Sequence, residues 1–281
     1  MFSKLIKIDL HKIGLKYDDQ IHLEGFSDIH SDALNHRGDL FEKRMNAVIK
    51  DPARFTFYGG DMIDAITPKD KRWQQESVKE VSLEQQKINF YKATKKLTDL
   101  HKKLKKKDGH GKVLWGLSGN HEYNNKDIDQ TWIRNFFEGD GVQSDGLGVS
   151  YVGSRALIGL EIQWRGVAKR RWSILTVHGF GGGMNAYTPL QNLKINHVAD
   201  VYLMGHLHQK MTMEEQMVSF SWSKKKWISR KIILGNTGSF TDTMMDDYDQ
   251  WYERRNKLIP ASAGTITISF DADKAEMHHH I

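Results

Sequence analysis

Val113-Leu114-Trp115-Gly116-Leu117-Ser118-Gly119-Asn120-His121-Glu122 is the stretch that decides the fold. A short apolar run reads as a buried strand, and the small residues after it read as a turn. Three side chains able to bind metals or carry protons follow at once. The same order recurs five more times. Ile21-His22-Leu23-Glu24-Gly25-Phe26 leads into Ser27-Asp28-Ile29-His30, and Phe55-Thr56-Phe57-Tyr58 into Gly59-Gly60-Asp61. Ile174-Leu175-Thr176-Val177 leads into His178-Gly179, and Val201-Tyr202-Leu203-Met204 into Gly205-His206-Leu207-His208. Ile232-Ile233-Leu234 leads into Gly235-Asn236-Thr237-Gly238.

Helical patterns separate the early strands. Leu40, Phe41, Met45, Val48 and Ile49 form one apolar stripe; Phe90, Ala93, Leu97, Leu100 and Leu104 form another at spacings of three and four. Strand and helix alternating in this way predict an α/β layered design. Farther on, Ala156 to Val177 and Met217 to Leu234 each read as two strands joined by a basic turn. The expectation is two packed sheets of mixed direction with helices outside; the order of the strands is not legible.

With 281 residues, 39% hydrophobic and 27% charged, the chain has the composition of a globular protein, and a single domain over 1–281 is expected. No run approaches the roughly 18 apolar residues that cross a bilayer, and Met1 to Leu10 alternates charged and apolar residues where a signal peptide would be continuously apolar. A cytoplasmic location without membrane contact is expected. Cysteine is absent, which excludes disulfides and thiolate chemistry. A metal must then be held by His, Asp, Asn or Glu, donors suited to Mn, Fe, Zn, Ni or Mg. The net charge of +6 favours phosphate-bearing partners.

In open α/β sheets, ligands collect in the loops beyond the carboxyl ends of the strands. Asp28, His30, Asp61, Asn120, His121, His178, His206 and His208 all fall there. Taken singly, each has an ordinary explanation: Asp-x-His is common on surfaces, Gly-Gly-Asp makes turns, and a lone His after a strand is often just solvated. Jointly, and in this order, they are a metal site.

The series Asp28-Ile29-His30, Gly60-Asp61, Gly119-Asn120-His121-Glu122, His178-Gly179 and Gly205-His206-Leu207-His208 resembles the five-part signature of the calcineurin-like metallophosphoesterases, over about residues 21–240. The resemblance implies a four-layer α/β fold, two central mixed β-sheets flanked by helices, with a binuclear centre at the sheet ends. Carried over by position, Asp28, His30, Asp61 and His208 would hold one ion. Asp61, Asn120, His178 and His206 would hold the second, so that Asp61 bridges. His121 matches the family's catalytic histidine and Asp64 the acid that orients it. Phosphoprotein phosphatases of the superfamily usually carry Gly-Asp-x-His-Gly and then Gly-Asp-x-x-Asp-Arg-Gly. Here Ser27 and Ser31 stand at the flanking glycines and Ala65 replaces the arginine.

The chemistry can also be argued from the residues. Two dications about 3.5–4 Å apart lower the pKa of a shared water and hold a phosphate for in-line attack. A carboxylate between them offsets their repulsion, and His121, beside a ligand, can protonate the leaving alkoxide. The reading is a binuclear phosphoesterase using two divalent ions, Mn favoured. Phosphodiesters of nucleic acid or nucleotides are the leading substrates. A phosphomonoesterase acting on small molecules or phosphoproteins is the alternative, and a non-catalytic binding scaffold on the same fold is an alternative of another class. His36 and Phe180 are candidate substrate contacts. The lysines of the helix from Phe90 to Lys107, and the clusters Lys169-Arg170-Arg171-Trp172 and Lys224-Lys225-Lys226-Trp227, are candidate nucleic-acid contacts or plain solvated surface. His278 to His280 read as a tag remnant or frayed tail, and residues 241–252 receive no role.

Overall fold

The computed structural model describes residues 2–68, 79–80, 82–124, 130–139, 146–179, 187–242 and 262–281. Phe180 and residues 243–252 lie outside the described residues.

Period-two alternation builds the layers. Strands β1 (Phe2–Asp9), β6 (Arg155–Trp164), β7 (Val167–Val177), β8 (Val201–Met204), β10 (Lys226–Thr237) and β9 (Lys210–Ser221) form one sheet in that order, sheet A. Sheet B runs β12 (Glu276–His280), β11 (Thr267–Asp271), β2 (Ile21–Phe26), β3 (Arg54–Tyr58), β4 (Val113–Gly116), β5 (Ser150–Tyr151). Both are mixed: β2, β3, β4 and β5 run parallel, whereas β11 is antiparallel to β2 and β6 antiparallel to β7.

Alternate residues then face alternate layers. Ile174 of β7, Val201 and Leu203 of β8 and Ile233 of β10 join Leu23, Phe55, Phe57 and Trp115 in a core between the sheets. Their neighbours Leu175, Val177, Tyr202, Met204, Ile232 and Leu234 pack outward against Leu190 and Leu193 of α5 (Tyr187–Asn196). On the far side, Phe26 and Tyr58 meet α1 (Gly38–Lys50), α2 (Leu83–Asp108) and, after the short α3 (Asn120–Asn124), α4 (Gln130–Glu138) through Phe41, Met45, Phe90, Leu97 and Phe136. Three apolar interfaces make four layers: helix, sheet, sheet, helix. No helix among the described residues is long and apolar enough to cross a membrane.

Two sequence expectations are corrected. His278 to His280 are not a frayed tail: they pair with β11 as the edge strand β12, and His279 Nδ1 lies 2.6 Å from Thr212 Oγ1. Lys169-Arg170-Arg171-Trp172 is not a turn but the middle of β7, with the turn at Arg165 and Gly166. Trp172 faces the core between the sheets, 5.2 Å from the Phe270 ring, because it shares a face with Ile174.

Candidate metal centre

The parallel strands β2, β3, β4 and β8 and the strand β7 all end on one edge of the sandwich, which is why their loops meet. The first two loops continue pairing past their strands. The N–H groups of Asp28, Ile29 and His30 donate to Gly60 O and Asp61 O, at 3.0, 2.8 and 3.0 Å. Ser31 N donates to Met62 O, and Asp64 N returns to Ser31 O, both at 3.0 Å.

This close weave imposes unusual backbone. Ten described non-glycine residues have φ in the left-handed region, and five of them are Asp28, His30, Asp61, His206 and His208. An L residue there costs on the order of 1–2 kcal/mol, so the surroundings must enforce it; such strain gathers at functional sites. Glycine fits the tightest crossings. A Cβ at Gly119 would sit 2.0 Å from Asp61 Oδ1, and one at Gly205 would sit 2.5 Å from Asp28 Oδ2.

The structure brings the seven candidate ligands together in two groups. Asp28, His30 and His208 each offer a donor atom within 4.8 Å of the others, and so do Asp61, His178 and His206. In the first group, His208 Nε2 lies 3.4 Å from Asp28 Oδ1 and 3.2 Å from His30 Nε2. In the second, His178 Nε2 lies 3.1 Å from Asp61 Oδ2 and 3.0 Å from Asn120 Oδ1. The same Asp61 Oδ2 is 3.9 Å from His30 Nε2, which sets this one carboxylate between the groups.

The donor set fits divalent ions. Asp28 Oδ1 is wholly buried with no hydrogen-bond partner among the described residues, although a buried carboxylate oxygen ordinarily has one. His178 Nδ1 donates to Gly59 O at 2.8 Å, and His30 Nδ1 faces Asp64 Oδ1 at 3.5 Å, so both rings are oriented through Nδ1 and present Nε2 to the centre. Electrostatics concur. Burial opposes ionisation of Asp61, yet the imidazoles of His178, His121 and His30 hold its carboxyl well below the usual range. Burial likewise opposes charge on His178 and His30, but the carboxylates Asp61, Asp64 and Asp28 raise them to about 10 and about 9.

His121 sits at the rim of the first group, its ring centroid 4.4 Å from that of His30. Its backbone N–H donates to Asp61 Oδ1 at 2.8 Å. Its Nδ1 meets the backbone carbonyl of Asp64, whereas the Asp64 carboxylate stands 3.9 Å away and closer to His30. The contact expected between Asp64 and His121 is therefore made by main chain, with the side chain shared between two histidines.

Sequence reasoning missed Glu122. Wholly buried, it accepts from Asp61 N at 3.0 Å and Gly119 N at 2.9 Å through Oε2, and from Met62 N through Oε1. One carboxylate thus ties the loop of Asp61 to the loop of Asn120 and His121. Burial, then the nearby Asp61, raises its pKa to about 7. The only signal in the sequence is an acid directly after Asn120 and His121.

His36 is taken up by the fold. Its Nδ1 donates to Ile29 O at 2.8 Å, its ring packs 6.4 Å from Phe41, and the residue bridges to Thr241. The basic clusters lie elsewhere. β9 leaves the centre just after His208 and spans 12 residues, so its tip is about 40 Å away at about 3.3 Å per residue. The lysines of α2 gather in its last turns, where Lys105, Lys106 and Lys107 face the negative end of the helix dipole.

Two six-stranded mixed sheets between helix layers agree with the architecture that the resemblance to the calcineurin-like superfamily implies. No family model matches the sequence, and no curated protein matches it. Solved structures do. A metallophosphoesterase from Sphaerobacter thermophilus is 12% identical, with 93% of this chain and 88% of that one covered and a TM-score of 0.39. A predicted phosphoesterase from Streptococcus pneumoniae is also 12% identical, covering 93% and 98%, with a TM-score of 0.35. Vps29 from Entamoeba histolytica, complexed with Zn, is 8% identical, covering 92% and 97%, with a TM-score of 0.36. At such scores these likenesses carry no argument about the site, which stands on this chain's own residues.

Proposed function

We propose that this chain is a binuclear metal-dependent phosphoesterase acting on phosphodiesters, with nucleic acid or nucleotides as the substrate class and Mn as the favoured ion. The observation that carries the reading is Asp61, placed between two groups of donors with its oxygen 3.1 Å from His178 and 3.9 Å from His30. Asp28, His30, Asp61 and His208 would hold one ion, and Asp61, Asn120, His178 and His206 the other. Bound there, two dications supply Lewis acidity and a more acidic water.

The remaining work belongs to the chain. His121 Nδ1 is engaged with the Asp64 carbonyl, so Nε2 is the nitrogen through which it would protonate a leaving alkoxide. Asp64 would keep His30 and His121 oriented, and Glu122 would keep the two ligand loops in register. Ala65 stands where a phosphatase of the superfamily carries arginine. It is buried and its N–H is bound to Gln86 Oε1 at 2.9 Å, so it gives no cation to a doubly charged terminal phosphate. A diester, with one charge, has less need of that clamp.

The test is metal reconstitution followed by turnover on chromogenic esters. Two Mn per chain and a higher kcat/KM on bis-nitrophenyl phosphate than on nitrophenyl phosphate are expected. A preference for the monoester would establish the phosphatase alternative, and bound metal with turnover on neither ester would establish the scaffold.

A further inference from the structure

β8 pairs with β10 only from Ile233 to Asn236, so from Lys226 to Ile232 the only strand bonded to β10 among the described residues is β9. The two strands leave the sandwich as an arm. Its inner face can be followed by alternation from Ile233, which is buried between the sheets, through Lys231 and Ser229 to Trp227 on β10. Opposite them on β9 stand Gln216, Val218 and Phe220, reached from Glu214 and Thr212. Thr212 and Glu214 still meet sheet B, through His279 at 2.6 and 3.6 Å. Beyond that contact the face is uncovered: Val218 is 58% exposed, Phe220 36%, Trp227 70%, and Trp222 in the turn 84%. An apolar patch of this kind on a soluble surface marks an interaction site.

The rings are ordered. Trp222 and Trp227 both meet Phe220 edge to face, at 5.0 and 5.4 Å, so the Trp side chains are held while their surfaces stay open. Beside them lies unneutralised charge. Arg230 is paired with Asp200 at 3.2 Å and Lys231 with Glu214 at 2.5 Å, but Lys224, Lys225 and Lys226 make no ion pair among the described residues. The occupant must therefore be anionic and must gain from contact with aromatic faces. A second copy of the arm fails the first requirement, since like charges would meet. A bilayer surface would attract the turn lysines by about 1 kcal/mol each, but it offers no flat ring to stack on Trp222 and Trp227. Single-stranded nucleic acid meets both, with phosphates at a cationic edge and bases on an aromatic platform.

We propose that the β9–β10 arm is a second contact site for single-stranded nucleic acid, with bases stacked on Trp222 and Trp227 and phosphates held by Lys224, Lys225 and Lys226. It extends the nucleic-acid reading above but does not rest on the metal chemistry, because the tip is about 40 Å from the centre.

The experiment uses the full metal-free chain and a fluorescently labelled oligothymidylate, with anisotropy read across a salt series. Wild type should bind with an affinity that falls as salt rises. Lys224→Glu, Lys225→Glu and Lys226→Glu together should weaken binding at least tenfold and reduce the slope of log K against log salt by about 2, at about 0.7 per phosphate contact. Trp222→Ala with Trp227→Ala should weaken it by at least about thirtyfold, at about 1–3 kcal/mol per stacked base, and leave the slope unchanged. Both variants should keep the wild-type unfolding midpoint and, in a separate sample reconstituted with Mn²⁺, the wild-type turnover on bis-nitrophenyl phosphate. Oligonucleotide binding indifferent to both sets of changes would overturn the proposal. So would a result in which the arm governs binding to phosphatidylserine vesicles and not to the oligonucleotide. Because the readout needs no catalysis, a failed phosphoesterase assay and a failed binding assay remain separate results.

Discussion

Glu122 accepts the backbone N–H of Asp61 at 3.0 Å, and with the His121 N–H on Asp61 Oδ1 this contact holds the shared carboxylate against the loop that carries Asn120 and His121. Glu122→Ala would strand the N–H groups of Asp61, Met62 and Gly119 in a buried site, each at about 1–3 kcal/mol. Isothermal titration of Mn²⁺ should show affinity down roughly 10–100-fold, the usual range when a group supporting metal ligands is lost. Glu122→Gln, which keeps one acceptor oxygen, should fall between. Wild-type Mn²⁺ affinity in Glu122→Ala would show that the loops hold register without it.

Asp61→Ala should empty both positions, because one carboxylate lies between both donor groups. Asn120→Ala should chiefly lower occupancy of the second, where Asn120 Oδ1 stands 3.0 Å from His178 Nε2. Elemental analysis after reconstitution and desalting reads this directly. Fewer than about two ions per wild-type chain would sink the binuclear reading.

His121→Ala should retain metal and lose roughly 10²–10⁴-fold in turnover on esters with poor leaving groups. For nitrophenolate esters the loss should shrink, since nitrophenolate departs without a proton. Parallel measurement on an alkyl and a nitrophenyl diester decides it; an equal loss on both would mean that His121 does not act as an acid.

Stability should carry the mark of His101. It is wholly buried, its Nδ1 accepts the backbone N–H of Val113 at 3.0 Å, and burial, then Lys105, lowers its pKa from 6.5 to about 4. The unfolded chain takes up this proton near pH 6.5 and the folded chain only near 4. Stability is therefore full above pH 6.5 and drains as pH falls towards 4, by at most about 1.4 kcal/mol per unit. His101→Gln, which keeps an acceptor and does not titrate, should lose less between pH 6.5 and 4.5. Urea midpoints of both proteins across that range provide the measurement; curves that stay parallel would remove His101 as a cause.

The candidate ligands were legible because a metal site would require particular residue types and the sheet requires apolar strands before them, so both signals fall in the same few residues. What escaped was set by distant partners. Phe2–Asp9 pairs in parallel with Ala156–Gln163, more than 150 residues away, and the alternation within Met1 to Leu10 does not name that partner. The β12 histidines are ordered by β11 for the same reason. Trp172 alternates with Ile174, and that spacing assigns it to the core even though a lysine and two arginines stand directly before it. At Asp64, residue type pointed to a side-chain contact, while the loop geometry gave the main contact with His121 to the backbone carbonyl. Phe180 falls outside the described residues.

The left-handed φ at Asp28, His30, Asp61, His206 and His208 has a consequence for anyone who would copy this centre. A designer who grafts the seven side chains onto an idealised scaffold, with every donor distance reproduced, will place five of them on backbone that ordinary strands and helices do not supply. The chirality of the chain itself becomes a variable. Semisynthesis with a D-histidine at position 206 or 208 would place the inverted residue in a region that it favours, and the metal-free loop would settle where the natural L residue must be forced.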